Sequence, residues 1–395
     1  MSTAFKAHGM DGTLVEPDWP PLALHEVCAL LDLFPGSGQA VELLSVSPRP
    51  FSAASVVATS NGSVFVKRHH RTVRDAEGLS EEHRFMQHLR AHGAAVPRVL
   101  TSGNGMTAIE IGEWTYEVHE RPAGVDLYED ALSWTPFRST KHAHSAGQTL
   151  ALLHHASLGF AAPPRKVRPL VASFSIFASN DPAGAMAHYL EVRPSLAADA
   201  ATRTHCAYAL DLLAPFHAEL QPLLPALAPL WTHNDLHASN LFWSNAGDDA
   251  RVMAIIDLGL ADRTNAVHDL AHAIERNIVE WLALVQNPAH PEDAPVHFDH
   301  LLALLDGYEQ VRPLTPEEAA ALVPLTALCH AEFALTEADY FLGALHAPEK
   351  AEIATDSYLV GHARWFRGGG GRRLLDALRR WAEARERQPQ RNVKQ

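Results

Sequence analysis

Between Leu230 and Glu275 the chain carries His233, Asn234 and Asp235 in succession, Asn240 five residues after that aspartate, and Asp257 at the end of the apolar run Val-Met-Ala-Ile-Ile. Phosphoryl transfer from ATP needs little covalent chemistry from a protein. It needs metal ions that neutralise the phosphates and a carboxylate that holds the acceptor hydroxyl in line. Asp235, Asn240 and Asp257, delivered by a tight loop and an adjoining strand end, are hard oxygen ligands of the kind Mg2+ prefers. Twelve residues further on, Asp269 opens an Asp-Leu-Ala run.

The elements that must position these groups follow from periodicity. VVAT-SNGS-VFVK predicts a hairpin turning at Asn61-Gly62, with Lys67 at the end of its second strand. LSEEHRFMQHLRAHG predicts a helix with Glu82, Phe85, Met86 and Leu89 on its packed face and Gly93 as C-cap. Glu81 falls about 100° away, toward solvent. MTAIEIGEWTYEVHE predicts two more strands about a Gly-Glu turn. The fold class is therefore α+β: a small antiparallel sheet with one helix, then a larger, mostly helical lobe. Four parts are expected: an extension with a short helix (1–40), the sheet lobe (41–124), the helical lobe (125–375), and a polar, frayed tail (376–395). The glycine run at 368–371 follows no strand and reads as a flexible hinge, not as a phosphate loop.

The order H-x-D-x-x-x-x-N, I-D and D-L-A, behind a strand lysine and an inward glutamate, resembles the aminoglycoside phosphotransferase and choline kinase superfamily, small-molecule relatives of the protein kinases. The resemblance runs from about residue 41 to 275. It implies a bilobal protein-kinase-like fold, with 41–124 the nucleotide-binding lobe and hinge and 125–375 the helical catalytic and acceptor-binding lobe, and an enzyme using ATP and Mg2+ on a small hydroxylated acceptor. A cytoplasmic location is expected separately, from three scattered cysteines and no visible secretory signal. Asp235 would be the catalytic carboxylate, Asn240 and Asp257 the magnesium ligands, His233 an anchor of the loop and Asp269 its brace. Lys67 would hold the α- and β-phosphates with Glu82 as its ion-pair partner, and Glu117 to Glu120 would be the hinge whose backbone meets adenine. The family usually has His-Gly-Asp where this chain has His-Asn-Asp. The turn expected over the phosphates, SPRPFSAAS at 47–55, has no glycine, so backbone N–H groups and hydroxyls from Ser52 to Ser55 would cradle the phosphate. Only twelve residues separate Asp257 from Asp269, with no A-P-E, which leaves no room for a peptide-docking segment.

A formal charge of −14 argues against a general nucleic-acid binder and suits a cationic acceptor such as an amino alcohol or an aminoglycoside. Cys28, Cys206 and Cys329 cannot build a disulfide framework. No membrane span is expected, the most apolar stretch being taken as Ala207 to Trp231, broken by four prolines. Two other classes stay open: an inactive kinase-like binding or regulatory protein, favoured by the glycine-free turn, and a metal-dependent hydrolase drawing on the 25 histidines. His268 and His272 have i, i+4 spacing, but no third ligand or general-base glutamate stands between them. Asp262 is an optional further metal or acceptor contact. Trp281, Tyr340, Trp365 and Phe366 read either as an aromatic cage or as core.

Overall fold

The structure, a computed structural model, describes residues 6–9, 11–287 and 294–387. Helix α1 (Leu24–Leu31) precedes a five-stranded antiparallel sheet of β1 (Ala40–Leu43), β2 (Ala53–Thr59), β3 (Gly62–His70), β4 (Ala108–Ile111) and β5 (Trp114–Glu120), in the order β1-β2-β3-β5-β4. Helix α2 (Ala76–Ala91) lies between β3 and β4 in the chain, with Asp75 accepting from the Gly78 N–H as N-cap.

Strand alternation gives the sheet two unlike faces. Val57, Val64, Val66, Tyr116 and Val118 pack against Val27, Leu30, Leu31 and Phe34 of the α1 segment. The opposite face carries Lys67 beside Glu117 of β5, in register, and turns toward the cleft. The β2–β3 hairpin forms, but its two loop residues are Ser60 and Asn61, one position earlier than expected. Thr59 pairs with Gly62, and Gly62 alone takes the positive φ, +121°.

The rest is mostly helical. Helices α3 (Thr140–Ser157) and α4 (Ala200–Leu220) are followed by two small antiparallel ladders. In these, β6 (Pro229–Thr232) pairs with β9 (Asp262–Asn265), and β7 (Leu241–Trp243) pairs with β8 (Val252–Ile255). Helices α5 (Ala266–Ile278), α6 (Phe298–Val311), α7 (Pro316–Leu328) and α8 (His330–Asp339) complete the lobe around one large core. The run Pro316–Ala344, not 207–231, is the segment long and apolar enough to cross a membrane, with mean hydropathy 1.4. It is a core helix, since 94% of that window is buried.

Two C-terminal expectations are corrected. Gly369 to Gly371 open helix α9 (Gly369–Arg387) and form no flexible hinge. A Cβ on Gly371 would stand 2.2 Å from Phe366 Cα, so the glycines permit close packing of two helices. The polar tail is helical as far as Arg387, with Trp381 on the core and Arg385 bonded to Glu309 (2.7 Å); residues 388–395 lie outside the described residues.

Candidate active site

The loop after β6 is fixed from behind by a buried carboxylate. Asp269, at the start of α5, accepts the backbone N–H groups of His233 and Asn234 (both 2.8 Å) and the imidazole N–H of His154 (3.0 Å). Burial would raise this carboxyl, but these donors outweigh it and hold it below its ordinary value. His233 is fully buried. It accepts the Asp235 N–H at Nδ1 (3.2 Å) and donates from Nε2 to Ile256 O (3.0 Å), so both ring nitrogens are committed to loop geometry. Asn234 adopts φ +62°, a region glycine and asparagine reach with least strain, which accounts for asparagine where the resembling family has glycine. Its side chain is held by Thr232, Thr264, Ala172 and Leu260.

This frame delivers Asp235 to the cleft. One carboxylate oxygen lies 3.4 Å from Arg276 Nε, the other 3.5 Å from His237 Nε2, and Asn240 Nδ2 donates to the Asp235 carbonyl (3.0 Å) and carboxylate (3.3 Å). With its amide nitrogen so engaged, Asn240 leaves Oδ1 as the atom available to the cleft. Asp257, also at positive φ (+57°), accepts from Lys67 Nζ at 3.1 Å. Withdrawal from water would raise the Asp257 carboxyl, but Lys67 outweighs that and holds it at about 2. Burial alone would lower Lys67. Asp257, Glu117 and Glu82 reverse the sign and raise it, so both partners are charged at neutral pH.

The structure brings Ser52, Lys67, Glu82, Asp235, Asn240 and Asp257 to one cleft, with His233 and Asp269 behind it. Ser55 is not among the residues that line it, and the side chain of Glu120, a residue expected there by its backbone alone, faces the same way as Ser55. Ser55 pairs with Val66 and Glu120 with Val64, so both project from the α1 face of the sheet. Ser55 Oγ bonds to Ser45 O, while Glu120 pairs with Arg98 (2.6 Å) and its N–H donates to Arg98 O. Glu82 is buried as its helical spacing requires, yet its cationic neighbour is Arg165 (3.9 Å). Lys67 is paired with Asp257 instead. Asp262 accepts the N–H groups of Arg165 and Arg263. Trp281, Tyr340, Trp365 and Phe366 are core, not a cage.

Several cleft residues escaped the sequence reading. Arg49 and Phe51 stand on the turn before β2, Trp134 on the segment before α3, and Phe333 and Glu337 on α8. Glu337 gave no clear signal in the sequence, since its helix also carries Glu332 and Asp339. Glu117 was assigned to the hinge for its backbone. Its buried side chain instead accepts from His69 (2.9 Å), His83 (2.8 Å) and His119 (2.7 Å), which gives three of the histidines a structural task. Burial would raise this carboxyl, but the imidazoles dominate and hold it well below the carboxylate range.

A protein-family profile described as "Phosphotransferase enzyme family" matches residues 51–314, more than half of the chain. A homoserine kinase of Sinorhizobium medicae (strain WSM419) is 28% identical over 247 residues, 61% of this chain; the chain spans 62% of that relative's length. Among solved structures, a microcompartment-associated aminopropanol kinase is similar with TM-score 0.57 and 16% identity, covering 88% of this chain and 99% of that one. The amicoumacin kinase hAmiN, solved with AMP-PNP, Ca2+ and Ami, is similar with TM-score 0.53 and 14% identity, covering 84% and 93%. The protein-kinase-like fold of small-molecule kinases is thus shared.

Proposed function

The chain belongs to the phosphotransferase enzyme family, kinases acting on hydroxyl-bearing small molecules, and from that premise we propose that it transfers the γ-phosphoryl group of ATP to the hydroxyl of a small amine-bearing alcohol. Lys67 binds the nucleotide phosphates. Asp235 orients the acceptor hydroxyl and takes its proton as the new O–P bond forms and the β,γ-bridging P–O bond breaks, its electron pair leaving on ADP. Mg2+ suits the donor set, because the ionised Asp257 carboxylate and the free Oδ1 of Asn240 are hard oxygens on one wall of the cleft. It would supply charge neutralisation on the phosphates when bound.

The observation that supports the amine is Glu337. Its residue is 4% exposed, its Oε2 has no hydrogen-bond partner, and it lines the cleft with Trp134, Phe333 and Asp235. A buried carboxylate with an unpartnered oxygen suits an ammonium group by charge pairing, while the Phe333 and Trp134 rings beside it already face the Arg276 guanidinium, 3.6 and 5.0 Å from their centroids. Homoserine, the acceptor in the name of the Sinorhizobium relative, carries such an amine beside its hydroxyl.

The test is acceptor-dependent ADP release over a panel of amino alcohols, aminoglycosides and neutral sugars. An amine-bearing alcohol should be the best acceptor, with a KM that rises with salt as screening weakens the attraction. A neutral sugar as best acceptor, with salt-independent KM, would remove the amine from the account and leave the kinase.

A further inference from the structure

We propose that Arg49 is a catalytic residue of this transfer, its guanidinium lying against the γ-phosphoryl group and stabilising the charge that spreads over its oxygens. The proposal rests on the kinase reading above and explains how a phosphate-covering turn can function without glycine.

Past the end of β1 the chain still follows β2, with the Ser47 N–H bonded to Ala54 O, so the segment that crosses over is Pro48-Arg49-Pro50-Phe51-Ser52. Two prolines fix φ on either side of the arginine, and each also restricts the residue before it. The side chain is therefore presented from a stiff support, where glycines would let backbone N–H groups approach a phosphate.

The turn is folded down across the cleft. Phe51 packs edge-on against Tyr340, with ring centroids 5.1 Å apart, and Arg49 reaches the far wall at Ser133 Oγ (3.2 Å) and Ala131 O (3.4 Å). Both acceptors are neutral. No carboxylate lies within 4.0 Å of this guanidinium among the described residues, unlike Arg68, Arg98, Arg168 or Arg312. A cation with no carboxylate in direct contact thus stands in the cleft shared by Lys67, Asp235 and Asp257, and it feels Asp126, Asp257 and Asp235 only at longer range. Such a group is an anion site, and a planar guanidinium matches phosphoryl oxygens through paired N–H donors.

The position fits the reaction. Asp257 and Lys67 mark the nucleotide side of the cleft and Asp235 the acceptor side, and the γ-phosphoryl group must pass between them. Arg49 exchanges no proton and forms no bond. The acceptor proton goes to Asp235 and the electron pair of the broken bond to ADP, while Arg49 offsets negative charge on the equatorial oxygens.

The experiment compares wild type with Arg49→Ala and Arg49→Lys, each first confirmed as folded by its thermal melt. Arg49→Ala should lower kcat by about 10²–10³, the range for removing one preorganised donor to a reacting oxygen, while KM for ATP stays within a few-fold. Arg49→Lys should lie between. Millimolar guanidinium ion should restore kcat of Arg49→Ala in a saturable manner and leave Lys67→Ala unimproved. An unchanged kcat, a defect confined to acceptor KM, or a kcat loss that guanidinium does not relieve would each overturn the assignment. Failure of the kinase reading looks different: wild type itself then releases no acceptor-dependent ADP, and both proposals fall together.

Discussion

At the scale of single residues, the cleft holds two carboxylates in opposite states. Asp257 is ionised because Lys67 faces it at 3.1 Å. Glu337 has no cation within 4.0 Å among the described residues, and burial, tempered by Arg276 and reinforced by Asp235, pushes it up to about 8. Glu337 is therefore neutral at pH 7 and ionises as pH rises through about 8. For an amine that stays protonated over that range, kcat/KM should climb with a midpoint near 8, since kcat/KM reports the free enzyme. Glu337→Gln should abolish that limb and raise acceptor KM roughly 10- to 100-fold, the value of one charged hydrogen bond. A wild-type profile flat from pH 7 to 9 would detach Glu337 from acceptor binding. Asp235, Asn240 and Asp257 were legible in the sequence because one short loop and one strand end supply them at fixed spacing. Glu337 and Arg49 were not, because helix α8 and a turn some 290 residues earlier in the chain come together only in the folded protein.

At the scale of elements, strand register decides what a side chain can reach. One residue along β3 separates the buried apolar face of Val66 from the cleft face of Lys67. The same alternation turns the side chains of Ser55 and Glu120 away from the cleft; the turn expected at 47–55 ran into β2 without fixing the phase of Ser55, while Glu120 was expected there by its backbone alone. Helical spacing gave the correct phase for Glu82, since Phe85, Met86 and Leu89 define the packed face of α2. What spacing could not supply was the partner: Lys67 pairs with Asp257, and Glu82 lies near Arg165. Nucleotide phosphates that draw Lys67 from Asp257 would put it under the control of Glu82. Lys67→Ala should then raise KM for ATP and lower kcat, Glu82→Gln should give a milder form of the same defect, and the double mutant should be little worse than Lys67→Ala. Additive losses in that cycle would show that the two residues act separately.

At the scale of the whole molecule, the segment before the sheet ties the parts together. Helix α1 covers the apolar face of the sheet, Glu26 accepts from Tyr116 and Arg68, and just upstream Trp19 donates to the Tyr340 hydroxyl (2.9 Å) while Asp18 pairs with Lys350 (2.6 Å). A short helix within 1–40 was expected; which surface it would cover was not legible, because the contacts lie up to 332 residues away. Leu30 is fully buried there, far from the cleft. Leu30→Ala should cost about 2–5 kcal/mol in denaturant unfolding through lost burial and the cavity left behind, with kcat unchanged. A loss of kcat without a loss of stability would mean that α1 acts on the cleft and is more than a cover.

The central claim, phosphoryl transfer to a small hydroxyl oriented by Asp235, is tested most directly by quantifying ADP and phosphorylated acceptor together in wild type and Asp235→Asn with the best acceptor found. Wild type should form the two products in equal amounts. Asp235→Asn should lower kcat by roughly 10²–10⁴, the range for a positioned general base, with ATP affinity within a few-fold. Equal turnover in the two proteins, or ADP release without phosphorylated acceptor, would contradict it.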